Sequence, residues 1–403
     1  MRICKIWDAD YPWDIRVEKI TESLVEAGHT VHLVCRNAKR LPRYDGSGKF
    51  NIHRLPAISP IFGPLHDLAN FPHPLNPVWI YNIARIVRQH QIQLILVRDL
   101  PLALSAILVG RLNQIPVALD MAENYPAMLR DRLCFTQTSW VGRVVRHPAL
   151  ARIIEKLVLK LVNHIIVVVE ESRDRLIADG VPRDRLTVVN NTPRIDHWDG
   201  SKIVRASSMA TSGIHVVYLG NLDGSRGVDI AVRAMGYLKS QGQQAHLSIV
   251  GQGPSRRCLE KLTAQLNVGD SVTFQGRLPF RDLQAVLASA DIGLIPHFST
   301  EAWNTTMPNK LFDYMLWGIP VIVSDVKPVA RIIRLCNVGS IFRDRDPEDL
   351  ARCISALSEP AVRKRMGENG RAAINACYNW NVDSEILVRA IEAVYSSGSK
   401  EVG

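Results

Sequence analysis

The chain has 403 residues, 47% of them hydrophobic and 22% charged, with a formal net charge of +10. Its length exceeds one ordinary core and favours two domains, while its charge favours anionic partners. No run approaches about 18 uninterrupted apolar residues, which argues against a membrane-spanning helix. The seven cysteines are odd in number and never spaced as CxxC, which argues against disulfides or a zinc site and for reduced core residues of a cytosolic protein.

The N-terminus, MRICKIWDAD, reads as a strand and not a signal peptide, because charges interrupt it and no long apolar core follows. RVEKITESLVEAG is amphipathic and ends at Gly28; HTVHLVCR is the next strand. QLILVRD, IPVALDMAE and HIIVVVEES follow as buried-type strands, with helical patterns around residues 76–91, 101–113 and 149–163. This alternation predicts a parallel, doubly wound sheet, in which ligands bind beyond the strands' C-terminal ends. Asp8, Asp10, Asp99, Asp120, Glu123 and Glu170 fall at or just after those ends and are candidates to line a cleft. An acid in a loop is more often simply solvated.

Residues 193–213 lose periodicity and gain small and polar residues, as an interdomain linker does. The alternation then restarts with HVVYLGNLDGSRGVDIAVRAM, LSIVGQGPSRRCLEKLTAQL and VTFQGRLPFRDLQAVLASA, before DIGLIPH. The glycine turns GNLDGSRG and GQGP bring backbone close to a ligand or to the next helix. Neither is GxGxxG with a placed ribose-binding acid, so a nicotinamide reading is poor.

The most informative stretch is 305–325, TTMPNKLFDYMLWGIPVIVSD. Pro308 is expected in the first helical turn and Gly318 just past the helix end. Free amides at the helix start suit a phosphate, and Lys310 adds a positive charge there. Asn309, Lys310 and Asp313 share a face, where the carboxylate suits neutral hydroxyls such as a ribose diol. The plain alternative is an exposed Lys310–Asp313 ion pair worth a few tenths of a kcal/mol, about 0.2–0.5.

Taken together, YLGNL with SRGVDIAVRAM, IVGQGP, VTFQGRLP, ADIGLIP, PNKLFDYMLWGIPVIVSD and a closing YNW resemble the retaining glycosyltransferases of family four. DYPWDIRVEKI, EAGHTVHLV and DMAENYP extend the resemblance into the first half. It implies the GT-B fold: two Rossmann-like, doubly wound α/β domains facing across a cleft. The acceptor-binding domain would be residues 1–200, the nucleotide-sugar-binding domain 207–377, and residues 378–403 a helix across the junction.

The resemblance also implies site residues. Two acids separated by seven others contact the donor in this family; the second falls on Asp313 and the first on Thr305, a departure. Of two basic residues that hold the diphosphate, one position is Asn221, another departure, and the other is Arg226, with Lys310 supplying charge. Gly220, Gly251, Gly253, Met307, Pro308 and Asn309 complete the implied nucleotide-sugar site. The acidic phrase of the first half falls on Asp120 and Glu123, with Ala122 where a histidine is usual, so the acceptor-activating group stays open between them. The implied catalytic set is Arg226, Lys310, Asp120 and Glu123.

No metal or cofactor is expected, the nucleotide-diphosphate sugar being a substrate. The DxD triplets at Asp8–Asp10 and Asp344–Asp346 read as non-metal. Expected partners are a nucleotide sugar, a lipid-linked or saccharide acceptor and an anionic membrane surface, but no nucleic acid. Arg130, Arg132, Arg143 and Arg146 around Leu133, Phe135 and Trp140 are either an interfacial segment or a loop over the acceptor cleft. The stripe Leu150, Ile153, Ile154, Leu157, Val158, Leu161 and Val162 reads as core. The expected activity is sugar transfer in surface polysaccharide or glycolipid assembly, at the inner face of the cell membrane. A sugar-nucleotide epimerase and a non-catalytic nucleotide-sugar-binding subunit are the rivals.

Overall fold

A computed structural model describes residues 1–12, 14–56, 74–135, 147–195 and 213–398. The chain forms two compact units. The first takes in Met1–Leu129, Val145–Asn191 and the chain from Asp383; the second takes in residues from Arg130 and Thr192–Val382.

The first unit carries eight strands: β1 (Arg2–Asp10), β2 (Thr30–Arg36), β3 (Tyr44–Asp45), β4 (Asn51–Arg54), β5 (Leu94–Arg98), β6 (Val117–Met121), β7 (His164–Val167) and β8 (Leu186–Val188). Their order is β3-β4-β2-β1-β5-β6-β7-β8, parallel except for the short edge strand β3. Its helices are α1 (Ile15–Glu26), α2 (Pro77–Gln89), α3 (Ala103–Leu112), the start of α4 (Tyr125–Phe135), α5 (Pro148–Leu161) and α6 (Glu170–Ala178). Alternation along the strands divides two faces. Cys4 and Ile6 point into a core with Trp79, Ile83 and Ile86 of α2 and Val158 of α5. Lys5 points the other way, toward α1. Asp14 starts α1 by accepting the Val17 amide at 2.9 Å, and Val17, Ile20 and Leu24 bury its inner face.

The second unit repeats the plan with β9 (Ile214–Leu219), β10 (Ala245–Val250), β11 (Val272–Gly276), β12 (Ile292–Ile295), β13 (Val321–Ser324) and β14 (Gly339–Phe342). The order is β11-β10-β9-β12-β13-β14, all parallel. Helices α7 (Val228–Ser240), α8 (Arg256–Gln265), α9 (Phe280–Ser289), α10 (Lys310–Leu316), α11 (Lys327–Cys336), α12 (Pro347–Ala356) and α13 (Pro360–Ala376) connect them. Val216 and Tyr218 of β9 pack with Val232 and Met235 of α7 and Leu350 and Ile354 of α12. A last helix, α14 (Trp380–Gly398), belongs from Asp383 onward to the first unit, where the Asp383 carboxylate accepts the Asn190 amide at 2.9 Å. Both units are Rossmann-like and doubly wound.

Two expectations need correction, on the cysteines and on the α5 stripe. Only Cys4 and Cys35 are core cysteines; Cys134, Cys258 and Cys377 are exposed. The stripe on α5 is only partly core: Val158 is buried, while Leu150, Ile153 and Leu157 stand 48%, 66% and 45% exposed. Both DxD triplets are committed elsewhere. Asp8 pairs with Arg36 and Asp10 accepts the Ala38 amide, whereas Asp346 caps α12 and Asp344 pairs with Arg345. Most of the linker (196–212) and of the arginine and aromatic run (136–146, with Trp140, Arg143 and Arg146) lies outside the described residues. Among the described residues, no helix is long and apolar enough to cross a membrane.

Candidate functional site

In the second unit, α10 packs against β9, β12 and β13. This helix has seven residues, too few to be stable by itself, and tertiary burial holds it. Leu311, Phe312, Tyr314 and Met315 are fully buried. The Tyr314 hydroxyl accepts the Leu219 amide at 3.1 Å and donates to the Val217 carbonyl at 3.0 Å. Both Tyr314 contacts tie α10 to β9, and the chain enters the helix at Lys310.

Lys310 is 8% exposed, and its ammonium has no hydrogen-bond partner. It sits over the Tyr218 ring, 4.2 Å from the centroid. A Cβ on Gly220 would come within 2.8 Å of Nζ, so the space beside the ammonium depends on glycine there. Gly251 has the same character, since its Cβ would fall 1.8 Å from the Gly220 carbonyl oxygen. Gly253 lies in that turn, which the Leu222 amide closes onto Gln252 at 2.9 Å. Burial pushes the Lys310 ammonium well below its ordinary pKa, and Arg226 adds to this; Asp223 and Asp313 oppose it less. A buried, unpartnered ammonium is costly, so the site is suited to an anion.

Arg226 stands beside it on a short turn after β9. Asp223 caps that turn by accepting the Ser225 amide at 3.1 Å, and its second oxygen holds Arg226 Nε at 3.0 Å. The Arg226 guanidinium lies 4.6 Å from the Trp303 ring centroid. Trp303 stacks in turn on His297, 4.1 Å between centroids and 10° between planes. His297 is 1% exposed with neither ring nitrogen hydrogen-bonded. Burial lowers its pKa well below the ordinary value, with Lys310 and Arg226 contributing, so the ring is neutral. The set Lys310, Arg226, Trp303 and His297 therefore offers two cations and an uncommitted imidazole. Only the first two were expected. The signal for His297 was its place at the end of an apolar strand, IGLIPH, but that pattern fits an ordinary core histidine equally well.

The other expected donor-site residues fall nearby with different roles. Asp313 lies one turn along α10 from Lys310 and is partly exposed. The exposed ion-pair alternative does not describe Lys310, which is buried. Pro308 precedes the helix, Asn309 is its cap and Met307 is buried, so the amides of Met307, Asn309 and Lys310 lie around an irregular turn and not in a helical first turn. The charge of Lys310 thus outweighs the short helix's dipole as the anion-attracting element. Thr305 is buried, and its hydroxyl donates back to the Glu301 carbonyl at 2.8 Å. Asn221 is exposed, and its side-chain amide reaches toward Asp223 at 3.4 Å.

In the first unit the expected catalytic acid is corrected. Asp120 is fully buried at the end of β6, with Lys5 Nζ 3.1 Å from one oxygen and Arg16 Nη2 2.8 Å from the other. Burial alone would raise its pKa, but Arg16, Lys5 and Arg98 outweigh it and hold the carboxyl well below the usual range. A carboxylate so saturated is a structural anchor and a poor base. Glu123 is partly exposed beyond it and contributes to the field on Arg98. Asp99, at the end of β5, keeps part of its carboxyl exposed while accepting the Ala122 amide at 2.9 Å, and burial raises its pKa against the pull of Arg98.

Two family models match the chain: one described as a glycosyl transferase 4-like domain over residues 14–192, the other as glycosyl transferases group 1 over 202–373. The chain is 25% identical over 228 residues to a putative colanic acid biosynthesis glycosyltransferase, WcaL, of Escherichia coli, covering 55% of this chain and 54% of that protein. It is 28% identical over 191 residues to the phosphatidyl-myo-inositol mannosyltransferase of Mycobacterium leprae, covering 47% and 49%. It thus spans about half the length of the curated relatives it matches. Among solved structures, sucrose-phosphate synthase of Thermosynechococcus elongatus superposes with a TM-score of 0.76 at 20% identity, over 98% of this chain and 100% of that one. Anabaena HepE in complex with UDP gives 0.70 at 13% identity, over 98% and 100%. These two likenesses establish the fold.

Proposed function

The chain belongs to the group 1 glycosyltransferases, and from that premise we propose that it moves a sugar, with retention of configuration, from a nucleotide-diphosphate sugar to a saccharide or lipid-linked acceptor in surface polysaccharide or glycolipid assembly. The observation that carries this reading is Lys310: a rigidly held, buried ammonium with no hydrogen-bond partner, beside Arg226. As the glycosidic bond breaks, negative charge grows on the leaving diphosphate, and preorganised cations stabilise it most at that moment. Lys310 meets the charge directly and Arg226 shares it, with Trp303 fixing the guanidinium plane. Asp313 accepts from the ribose diol. In this reading the two side chains supply the cations that transfer needs, with no bound metal taking part.

On the acceptor side, Asp99 replaces Asp120 as the acid to consider beside Glu123. Its raised pKa and partial exposure suit a hydrogen bond to an acceptor hydroxyl. The exposed apolar face of α5, with Lys156 and Lys160 exposed on the same helix, supports peripheral contact with an anionic membrane, the setting of a lipid-linked acceptor. Arg130 is less suited to it, being paired with Glu301 at 2.6 Å.

One observation favours a second reading. Thr305 stands where an acid is expected and turns its hydroxyl to the backbone, as would suit a subunit that binds nucleotide sugar without transferring it. The test is a panel of UDP- and GDP-sugars by calorimetry, followed by NMR analysis of products with and without saccharide acceptors. Transfer with an α-anomeric product from an α-donor supports the proposal. Binding with neither transfer nor hydrolysis favours the subunit, epimerised donor without acceptor favours an epimerase, and no binding at all overturns the site.

A further inference from the structure

Three histidines of the first unit come together far from one another in sequence. His32 lies near the start of β2 and His53 in β4, where the parallel register sets His53 opposite Val34, so both rings face the side covered by α2. His90 is the residue that caps the C-terminus of α2. The ring centroids are 4.2 Å apart for His32 and His90, 5.1 Å for His53 and His90, and 5.2 Å for His32 and His53. One nitrogen from each ring lies within 4.8 Å of the others. His32 and His53 are 5% and 7% exposed, and Nε2 of His90 is buried without a hydrogen-bond partner.

We propose that His32, His53 and His90 form a binding site for a divalent cation of the zinc type, with a solvent-derived or anionic fourth ligand. Three imidazoles and one open position are a common donor set for zinc, and imidazole suits this class of ion. The geometry needs little change. His32 Nδ1 and His53 Nε2 are 3.0 Å apart, sharing one proton. Two ligands on a tetrahedral zinc stand about 3.3 Å apart at the usual zinc–nitrogen length, so the pair would open slightly and the donor ring would take its other neutral tautomer, carrying its proton on the far nitrogen and freeing the near one for the ion. The orphaned His90 nitrogen gains the partner it lacks. Arg2 and Arg85 face the cluster, and the ring of Tyr44 packs on His53 at 5.3 Å. The two guanidiniums oppose a cation and favour hydroxide or chloride as its fourth ligand.

The site lies where β2 begins and α2 ends, at the opposite end of the sheet from Asp120 and Asp99. It joins β4, the inner neighbour of the edge strand β3, to β2 and α2. Its role is to fasten that margin of the sheet, separate from sugar transfer.

The test uses the full chain, stripped with chelator and titrated with cobalt(II) and then zinc(II) at neutral pH. We expect one equivalent of cobalt with the visible absorption of a four-coordinate nitrogen–oxygen site, displaced by zinc, and a higher unfolding midpoint with metal than without. His90→Gln, at the partly exposed rim, should fold and bind at least about ten-fold more weakly. His53→Gln should do the same; should it fail to fold, His90→Gln decides. Absence of stoichiometric binding overturns the proposal, as does unchanged affinity in His90→Gln. A near-ultraviolet thiolate-to-cobalt band would place the ion on cysteine and overturn it equally.

Discussion

Each unit buries a charged group near the C-terminal end of its sheet, and the two are treated in opposite ways. Asp120 meets Lys5 and Arg16 at hydrogen-bond distance, and every contact is made within the fold. Lys310 meets an aromatic face, and its hydrogen bonds are left unmade. The first arrangement is complete without a ligand; the second is not. Burial of a charge therefore marks a functional site only when the fold withholds the partner.

The contrast is broken most severely at Asp120. Asp120→Ala leaves Lys5 and Arg16 buried without their counter-ion and should cost about 3–5 kcal/mol of stability. Urea unfolding measures this, and a loss below about 1 kcal/mol would show that solvent reaches the pocket. Lys310→Met should do the reverse. Turnover falls about 10²–10³-fold, as for loss of one preorganised donor to a developing charge, while the unfolding midpoint holds or rises. A variant that loses stability and keeps its turnover would make Lys310 another Asp120.

Asp313→Ala sharpens the donor side. Losing a charged partner of the ribose hydroxyls should weaken nucleotide and nucleotide-sugar binding by about 1.5–3 kcal/mol, roughly 10- to 150-fold. Calorimetry with the free nucleotide checks it, and wild-type affinity would remove Asp313 from the site.

A smaller effect is protonic. Burial and Arg226 depress the Lys310 pKa, so between the folded value and the ordinary 10.5 the unfolded chain holds more protons than the native one. The stability of the ligand-free protein gains from this group as pH rises through that window. Within that window diphosphate favours the ammonium form, so binding there takes up a proton and weakens as pH rises. Titration in buffers of different ionisation enthalpy reads the uptake, which Lys310→Met should abolish. Equal uptake in both proteins would assign the proton to another group.

The smallest expected change is at α5. Ile153→Ser should reduce sedimentation with anionic vesicles by less than about ten-fold, since one partly inserted side chain is worth about 1 kcal/mol. High salt should weaken the same binding through screening of Lys156 and Lys160. Insensitivity to both changes would leave that face without a lipid role.

The alternation of strands and helices, the two-unit plan and the turn into the short helix at Lys310 were all legible in sequence, because apolar period and turn residues act over a few neighbours. The strand QLILVRD and the helix beginning near residue 76 appear as β5 and α2 almost residue for residue. The α5 stripe was misread for a related reason: a period of 3.6 locates a helix's apolar face but does not say whether anything covers it. Thr305 and Asp120 show the same limit in polar groups, since their hydrogen-bond partners, not their positions in a motif, decide their roles.

What the sequence determined by itself was therefore the order of elements and the turn that carries Lys310 and Asp313. Only the tertiary structure decided which charges are satisfied. Lys5 and Asp120 are 115 residues apart, and their pairing exists because β1 and β6 flank β5. His297 reaches Trp303 across a loop, and three histidines meet where β2, β4 and α2 end or begin. Local periodicity is encoded by near neighbours, whereas the dielectric and the partners of a buried group are set by chain segments that only topology brings together.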